Sequence, residues 1–453
     1  MIKPLTKLPF FTLLIIIVFS GCATTRGNDS LNRYQNEREV SYVNSVGIEE
    51  NTSQIEISEN SELPDYLAYA ALNNPGLKAA FNRWKSSLEK IPQVKTLPDP
   101  RFTYSYFIEN VETRVGPQRH KFDISQTFPW FGKLELLGDV AFEEANIQRQ
   151  AYEKLKLSLF FQVKAAYYEY YYLSRTIYIT EENMRLLSYF ENVAQTKYTT
   201  GMTSQADVIK AQVELGKLEE RLLSLRDLRE PVTAKLNSAL NRPVNAPIPW
   251  PSSIQDDDIT LTDDEIINQI VDNNPDLRAL EYTIEKVTKS RELAKKEFYP
   301  NIMFGISYVE TGPSSMPGTK ESGKDPVMTM LSINLPIWRD KYRAAVNEAD
   351  IKRISSEREL ENRENMLIAD LKTSLYNYRD AERKKELFRD TLIPKARQAL
   401  NVTQSAFEAG KKDFLSLIDT QRTLLEFELS YERALTDHAK FRAQIEMLAG
   451  KDI

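Results

Sequence analysis

The sequence predicts a mainly α-helical protein that carries a small antiparallel β part and is built from one unit that occurs twice. Three observations support this fold class. Motifs recur about 200 residues apart, each copy contains two stretches of alternating polar and apolar residues, and each copy continues into a helical pattern of unusual length. With 453 residues, the chain could form two or three ordinary domains with sizeable cores.

The duplication is visible in four pairs of motifs that keep the same order along the chain. The pairs are 73–79 (NNPGLKA) with 273–279 (NNPDLRA), Pro100 with Pro300, 128–130 with 335–338, and 198–201 with 407–410. Their offsets grow only between matches, which indicates one duplicated unit with small insertions. We therefore divide the chain into repeat 1 (61–245), a linker (246–262) and repeat 2 (263–450).

Two strands are predicted in each repeat from a period of two. In repeat 1, Phe102, Tyr104 and Tyr106 alternate with polar residues. The other predicted strands contain Phe122 and Ile124, then Ile302, Phe304, Ile306 and Tyr308, and finally Leu331, Ile333 and Leu335. Loops rich in Gly, Pro and charge, 109–119 and 310–326, are expected to connect the two strands of each pair.

Long helices are predicted after the strands. The helical pattern covers residues 134–198 and 339–406, with a kink expected at Pro394. A helix of residues 134–198 would span roughly 100 Å, at about 1.5 Å per residue, and no compact domain needs that length. Shorter helices are predicted over 63–95, 204–241 and 413–448.

The first residues have the composition of a secretion signal. Lys3 and Lys7 form a positive segment, and residues 8–19 are almost entirely apolar. Because a bilayer-spanning helix needs about 20 apolar residues, this shorter run indicates a signal peptide rather than an anchor.

The end of that signal points to lipidation. Ser20-Gly21-Cys22 resembles a bacterial lipobox, which implies removal of residues 1–21, a lipid on Cys22 and sorting to the outer membrane. An ordinary signal peptide with an incidental cysteine is the alternative. Residues 22–60 are polar with little periodicity and are predicted to be a lipidated tether.

Other classes of function find little support in the sequence. The net charge of −6 does not suggest a nucleic-acid partner, and one cysteine with two histidines provides no metal-ligand spacing, so no metal site or cofactor is predicted. His438 lies near an apolar stripe, where a packed histidine is the favoured interpretation.

Residues 318–324 fit G-x-x-x-x-G-K, but Asp325 replaces the Ser or Thr that would bind Mg²⁺. No nucleophile–base arrangement is visible, and an enzyme is not predicted.

The four predicted strands raise a problem of closure. Four strands cannot form a barrel, and an open edge in hydrocarbon leaves backbone groups unpaired. Two chains would supply eight strands and three would supply twelve, and the residue pattern does not choose between them. Trp130 and Trp338, just beyond the strand ends, suit the aromatic belt at a membrane–water interface. The alternative, a soluble sandwich core, does not explain the long helices.

Taken together, the motifs resemble those of the TolC-like outer-membrane efflux family over about residues 60–450. The motifs are the two Asn-Pro openings, 97–100 (LPDP), 125–133 (SQTFPWFGK) and the two aromatic-x-x-Gly turns. The resemblance implies a homotrimer in which a 12-stranded transmembrane β-barrel, four strands per chain, continues into a trimeric α-barrel tunnel in the periplasm.

The family also implies a function. The chain is expected to be the passive outer-membrane exit duct of a tripartite efflux system, with a periplasmic adaptor and a proton-driven inner-membrane pump as partners. The lipobox and the Pro-Trp-Phe-Gly-Lys segment favour the heavy-metal-efflux branch (CusC- and CzcC-like proteins), with metal cations or small toxic compounds as substrates. A type I secretion duct and a non-channel membrane-tethered helical scaffold remain alternatives.

The resemblance further implies roles for residues at the helix turns. The adaptor-docking turns would be Gly201, Met202, Thr203 and Ser204 in repeat 1, and Gly410, Lys411, Lys412 and Asp413 in repeat 2. The pore aperture and gate would involve Asp207, Asp419, Tyr198 and Phe407. Simpler interpretations are that the glycines only end helices, where a positive φ is favoured, and that the aspartates are solvated surface charges.

Overall fold

The structure, a computed structural model, describes residues 29–47, 56–254 and 256–451. The described part of the chain is mainly helical with one sheet, as predicted. Its elements before the linker are α1 (Asp29–Glu39), α2 (Tyr42–Ser45), α3 (Leu63–Asn73), α4 (Pro75–Leu88), α5 (Lys90–Lys95), β1 (Arg101–Thr113), β2 (Gly116–Phe128), α6 (Lys133–Thr199), α7 (Gln205–Asp227) and α8 (Arg229–Leu240). Those after it are α9 (Asp263–Asn273), α10 (Pro275–Lys296), β3 (Ile302–Thr311), β4 (Val327–Ile333), α11 (Arg339–Leu387), a π-helical turn (Phe388–Leu392), α12 (Ile393–Glu408) and α13 (Phe414–Ala449).

These elements form two compact units. One contains the sheet and is made of Leu88–Phe142, Lys295–Arg339 and the described residues up to Val40. The other is helical and is made of Ser41–Ser87, Glu143–Ala294 and Asp340–Ile453. Each unit takes segments from both repeats, so neither repeat folds as a separate body.

The sheet joins the two repeats. Its order is β1-β2-β3-β4, and every neighbouring pair is antiparallel. The central pairing, β2 with β3, connects the hairpin of repeat 1 to that of repeat 2.

The predicted loop 109–119 is wrong. Strands β1 and β2 have 13 residues each and continue through most of that range, so that only residues 114 and 115 lie between them. A register shift between Tyr106 and Val111 interrupts the alternation, which is why this part of β1 does not look like a strand in the sequence. The second loop, residues 312–326, is close to the predicted 310–326.

The predicted helices are found, but several are divided. Residues 63–95 form three helices, because the chain is extended at Asn74 and makes a further break at Glu89. The return helix of repeat 1 is divided at Leu228 and ends at Asn241, which has a left-handed conformation. At the predicted kink, a π-helical turn precedes Pro394, a residue that cannot donate a backbone hydrogen bond. No helix among the described residues is long and apolar enough to cross a membrane.

The predicted tether is partly structured. Its described residues include α1 and α2, and two tyrosines fix them to the body. The Tyr34 side chain is buried and its hydroxyl donates to Oε2 of Glu89 at 3.1 Å. Tyr42 packs edge-on against Phe81 with ring centroids 5.2 Å apart. These two aromatic residues stand in an otherwise polar segment, and periodicity alone does not reveal their contacts.

Polar pairs set the register of α6 against α13. Lys164 Nζ lies 2.6 Å from Oε2 of Glu446, and Arg175 Nε lies 2.9 Å from Oε1 of Glu432. Both glutamates are buried, so a slip of one helical turn would leave buried carboxylates without their partners.

An apolar cluster joins the ends of four helices, α6, α7, α12 and α13. Its buried members include Leu187, Phe190, Val208, Leu218, Phe407, Phe414 and Leu417. The cluster takes residues from both repeats and holds the two helix-to-helix turns on a common core.

Replacing Phe414 with Ala is expected to lower the free energy of unfolding by about 3–5 kcal/mol. The Phe414 ring is fully buried and packs edge-on against Phe407 at 5.5 Å. The measurement is thermal unfolding of the detergent-purified protein, followed by circular dichroism. Leu415→Ala is the matched control, because the neighbouring Leu415 is 54% exposed and its loss should cost no more than about 0.5 kcal/mol. Equal losses for the two variants would contradict this assignment of the core.

Candidate membrane sheet and tip turns

The sheet has one mainly apolar face and one mainly polar face. Cross-strand neighbours on the apolar face include Tyr104, Phe122 and Tyr308 in one row. The apolar side chains that the register places on this face are Phe102, Tyr104, Tyr106, Phe122, Ile124, Phe128, Ile302, Phe304, Ile306, Tyr308, Val327, Leu331 and Ile333. Phe102 is 66% exposed and Leu331 is 64% exposed, so this chain by itself does not cover the face.

The opposite face carries charge and hydroxyl groups. Thr103, Asp123 and Ser307 are paired across three strands, and Ser307 donates a hydrogen bond to Asp123. Lys121 Nζ lies 3.0 Å from Oδ1 of Asp123. An apolar face without a cover opposite a hydrogen-bonded polar face is typical of a strand set between lipid and water.

The two edges of this sheet have no strand beside them in the described part of the chain. β1 is paired only with β2, and β4 only with β3. Their outward backbone groups can therefore pair with strands of another chain.

The two predicted belt tryptophans differ in their surroundings. Trp130 is half-buried and stacks on Tyr299 with ring centroids 5.1 Å apart. Trp338 is 74% exposed. Both lie just past strand ends, and their placement at a membrane interface remains a prediction.

The tip turns, residues 200–204 and 409–413, have the same backbone hydrogen bonds in both repeats. In repeat 1, Gly201 N–H donates to the carbonyl of Tyr198 and Met202 N–H to that of Lys197, at 3.0 and 2.7 Å. In repeat 2, Gly410 donates to Phe407 and Lys411 to Ala406, at 3.0 and 2.8 Å. Both glycines have positive φ, 75° and 72°, so each turn is a Schellman motif that needs Gly at this position. Their role as helix caps is thus established by geometry.

The helices that follow the tip turns both begin with a serine and an aspartate three residues apart, but the two residues stand in opposite order. In repeat 1, Ser204 is the N-cap of α7 and Asp207 is three residues later. In repeat 2, Asp413 is the N-cap of α13 and accepts a hydrogen bond from Ser416 N–H at 2.9 Å. Ser416 therefore occupies the position in repeat 2 that Asp207 occupies in repeat 1, and Asp413 occupies the position of Ser204.

Hydrogen bonds hold the Asp207 carboxylate in the cap. Oδ2 accepts from Thr203 Oγ1 at 2.8 Å and from Ser204 Oγ at 2.9 Å. Burial alone would raise the pKa of Asp207, but the hydrogen bonds from Thr203 and Ser204 outweigh it, and the pKa is lowered. The carboxylate thus has a structural role at the start of α7, whatever further role it has.

The remaining predicted gate residues are in different environments. Tyr198 is 40% exposed, whereas Phe407, at the corresponding position of repeat 2, is 3% exposed. The Phe407 ring packs on Phe414, and the ammonium group of Lys197 lies 5.2 Å from its centroid. The Phe407 side chain therefore contributes to the core of the tip. The sequence carries a signal for this burial, because repeat 2 has an apolar residue where repeat 1 has Tyr198.

Asp419 is the acidic residue of the predicted aperture that is free to face solvent. Its side chain is exposed, and within the ranges that the structure covers its carboxylate has no ion pair. The predicted lipidation site, Cys22, lies outside the described residues.

Opposite effects are expected for two Gly→Ala substitutions. Gly201→Ala places a side chain at a φ of 75° and should lower the free energy of unfolding by about 1–2 kcal/mol. Gly216 is in the interior of α7 with open space around it, so Gly216→Ala should raise this free energy by about 0.5–1 kcal/mol. Melting temperatures of the two variants and the wild type measure both effects. A shift in the same direction for both would contradict the Schellman geometry.

Asp207→Ala should destabilise the protein by about 1 kcal/mol at neutral pH, because a cap is lost. A lowered folded-state pKa stabilises the protein above the unfolded-state pKa, about 3.9. That stabilisation is lost as the pH falls through the folded-state pKa. The difference in melting temperature between wild type and variant should therefore shrink below about pH 4. Asp419→Ala, which removes no cap, is the control, and a wild-type–Asp207→Ala difference that is unchanged in acid would refute the assignment.

Comparisons with known proteins agree with this geometry. The family described as "Outer membrane efflux protein" matches residues 67–242 and 266–451, one segment in each repeat. The cobalt-zinc-cadmium resistance protein CzcC of Cupriavidus metallidurans is 21% identical over 85% of this chain and 89% of its own length. The toluene efflux pump outer membrane protein TtgI of Pseudomonas putida is 21% identical over 68% of this chain and 64% of its own length.

A solved structure has the same fold. The Campylobacter jejuni CmeC outer membrane channel aligns with a TM-score of 0.69 at 12% identity, over 90% of this chain and 91% of that one. The resemblance to TolC-like proteins predicted from the motifs is thereby confirmed. The chain belongs to the outer membrane efflux protein family, and it is an efflux component of the bacterial outer membrane.

Proposed function

We propose that three copies of this chain form the exit duct of a tripartite efflux system, through which substrates pass from the periplasm to the exterior. The observation that supports this most strongly is the four-stranded sheet, with its uncovered apolar face and two open edges. The same chain carries a helix of 67 residues, α6, long enough to reach roughly 100 Å from one end to the other.

Closure of the sheet requires more than one copy, and the family resemblance supports three. In hydrocarbon each unpaired backbone group costs several kcal/mol, so β1 of one copy must pair with β4 of the next. Three copies supply twelve strands and leave no edge. The lipid on Cys22 adds a second attachment to the membrane.

The tip turns are the proposed docking site for a periplasmic adaptor. Each turn is rigid, because it is closed by two backbone hydrogen bonds and followed by a capped helix. Met202 and Lys411 occupy the same position in the two motifs, and both are exposed. A rigid turn with an exposed apolar or basic side chain can bind a partner with little loss of conformational entropy.

The aperture is proposed to be lined by Asp419, with Asp207 and Tyr198 beside it. Three copies of an exposed carboxylate at a narrow opening would attract cations. Conduction itself needs no catalytic residue, and we propose that the chain catalyses no reaction. The inner-membrane pump, proton-driven in our proposal, supplies the energy.

The substrates are proposed to be metal cations or small toxic compounds. The relatives named above are a metal resistance protein and a solvent efflux component at the same 21% identity, so neither is favoured by similarity. Selectivity in this proposal resides in the pump.

The proposal predicts a trimer in mild detergent and a loss of resistance on deletion. We would measure the mass of the purified protein by light scattering and image the same fraction by negative-stain microscopy. A mass of three chains in a cylinder longer than roughly 100 Å is expected. A gene deletion should raise susceptibility to divalent metals or to organic solvents, and the wild-type gene should restore resistance.

Two controls separate the duct from its alternatives. Cys22→Ser should still yield trimers in the outer membrane, because the sheet holds the protein there, whereas a tethered scaffold would become water-soluble. A deletion strain with normal resistance but blocked polypeptide export would indicate type I secretion. A monomer or a globular dimer would refute the duct.

A further inference from the structure

A buried histidine faces the linker between the two repeats. His438 of α13 is fully buried, and its ring stacks on Tyr378 of α11 with centroids 4.4 Å apart. Nδ1 lies 3.0 Å from Oδ1 of Asp256, and Nε2 lies 3.7 Å from Oδ1 of Asp258. Among the described residues neither ring nitrogen has a hydrogen-bond partner of suitable geometry. A buried imidazole that makes no well-formed hydrogen bond requires an explanation, because an unsatisfied buried polar group destabilises the folded state.

Two carboxylates lie near this ring. Ligand atoms of Asp258, Glu382 and His438 all lie within 4.8 Å of one another. Asp258 is on the linker, Glu382 on α11 and His438 on α13, so the fold brings together three separate segments.

The neighbouring charges leave these two carboxylates available. Lys385 Nζ is 2.7 Å from Oδ1 of Asp256, and Arg442 Nη1 is 3.2 Å from Oδ2 of Asp257. Asp256 and Asp257 are therefore paired with basic side chains, whereas the contact between Asp258 and Lys385 is longer, at 3.8 Å.

Lys385 is the group that opposes a cation here. Its short contact is with Asp256, which already neutralises it. Four acidic side chains, 256–258 and Glu382, face two basic ones, Lys385 and Arg442, so that the cluster has an excess of two negative charges when His438 is neutral. The local electrostatic field thus favours a divalent cation.

We propose that Asp258, Glu382 and His438 bind a divalent transition-metal ion, with Zn²⁺ as the best match. An imidazole nitrogen with two carboxylates suits Zn²⁺ better than Mg²⁺ or Ca²⁺, which prefer oxygen ligands alone. At Zn²⁺ bond lengths of about 2.0–2.2 Å, neighbouring ligand atoms lie roughly 3.3 Å apart. The Nε2–Oδ1 distance of 3.7 Å is close to this value, and small side-chain rotations would close the rest.

The other side of the imidazole fits the same proposal. Histidines that bind zinc through one nitrogen usually donate the other N–H to a carboxylate, which orients the ring. Asp256 stands at 3.0 Å from Nδ1, in the place that such a carboxylate takes. A small rotation of the ring under the pull of the metal would align this hydrogen bond.

The bound ion would fasten the linker to two long helices. Its effect is on the attachment of residues 256–258 to α11 and α13, and it does not depend on whether the chain is an exit duct. The site is thus separate from any cation that passes through an aperture.

The test is metal binding by the full-length detergent-purified protein after treatment with a chelator. Equilibrium dialysis against Zn²⁺ should give one tight site per chain, and Co²⁺ in its place should show the intense visible absorption of a tetrahedral ion. Glu382→Gln and Asp258→Asn should each weaken binding at least tenfold, because each removes one ligand. Glu386→Gln, an exposed residue one turn further along α11, is the matched control and should bind like the wild type.

Two readouts distinguish binding from misfolding. Variants should keep the wild-type oligomeric mass and circular dichroism, and Zn²⁺ should raise the melting temperature of the wild type and Glu386→Gln only. Absence of stoichiometric binding in the wild type would overturn the proposal. So would Zn²⁺ binding that Glu382→Gln and Asp258→Asn leave unchanged. Neither result bears on the trimer or on efflux, which are measured separately.

Discussion

Unpaired backbone groups are the constraint on which the rest of this protein depends. A sheet of four strands exposes a row of N–H and C=O groups on β1 and another on β4, and hydrocarbon offers these groups no partner. The apolar face, which includes the exposed Phe102 and Leu331, is also unfavourable in water, because its hydration costs free energy. Both difficulties disappear when strands of other copies continue the sheet and lipid covers its apolar face. Pairing with other copies satisfies both conditions, since the described strands of one chain leave two edges of the sheet unpaired.

Duplication provides a second constraint. The two repeats keep the same hydrogen-bonding groups at their helix turns, although the residues at equivalent positions differ. Each repeat must end a long helix, reverse direction and start another. The backbone solution, a Schellman turn around Gly201 or Gly410, is the same in both repeats because few other turns reverse a helix so tightly. The N-cap of the helix that follows allows more variation in residue type. A serine–aspartate pair works in either order, since both side chains accept the N–H bonds of a helix start, and the two repeats use opposite orders.

The sequence predicts those features that depend on neighbours in the chain. Periodicity locates the long helices and part of each strand, and glycine after an aromatic residue locates the turns. Strand residues 109–113 and 116–119 are missed because register shifts interrupt the alternation there. The burial of Phe407 and the grouping of Asp258, Glu382 and His438 are missed for another reason. Their contacts join segments far apart in sequence, and no spacing rule can show them.

The structure also distinguishes tip residues whose side chains are held by contacts within the chain from tip residues whose side chains are exposed. The Asp207 carboxylate accepts hydrogen bonds from Thr203 and Ser204, and Phe407 is enclosed by the apolar cluster, so both side chains contribute to the fold of the tip. Asp419 has no such engagement. Each tip turn is closed by hydrogen bonds within its own segment, so an aperture formed by three copies could widen without breaking a turn. In the proposed trimer, stability of the tip would come from contacts within one chain, and opening would depend on contacts between chains.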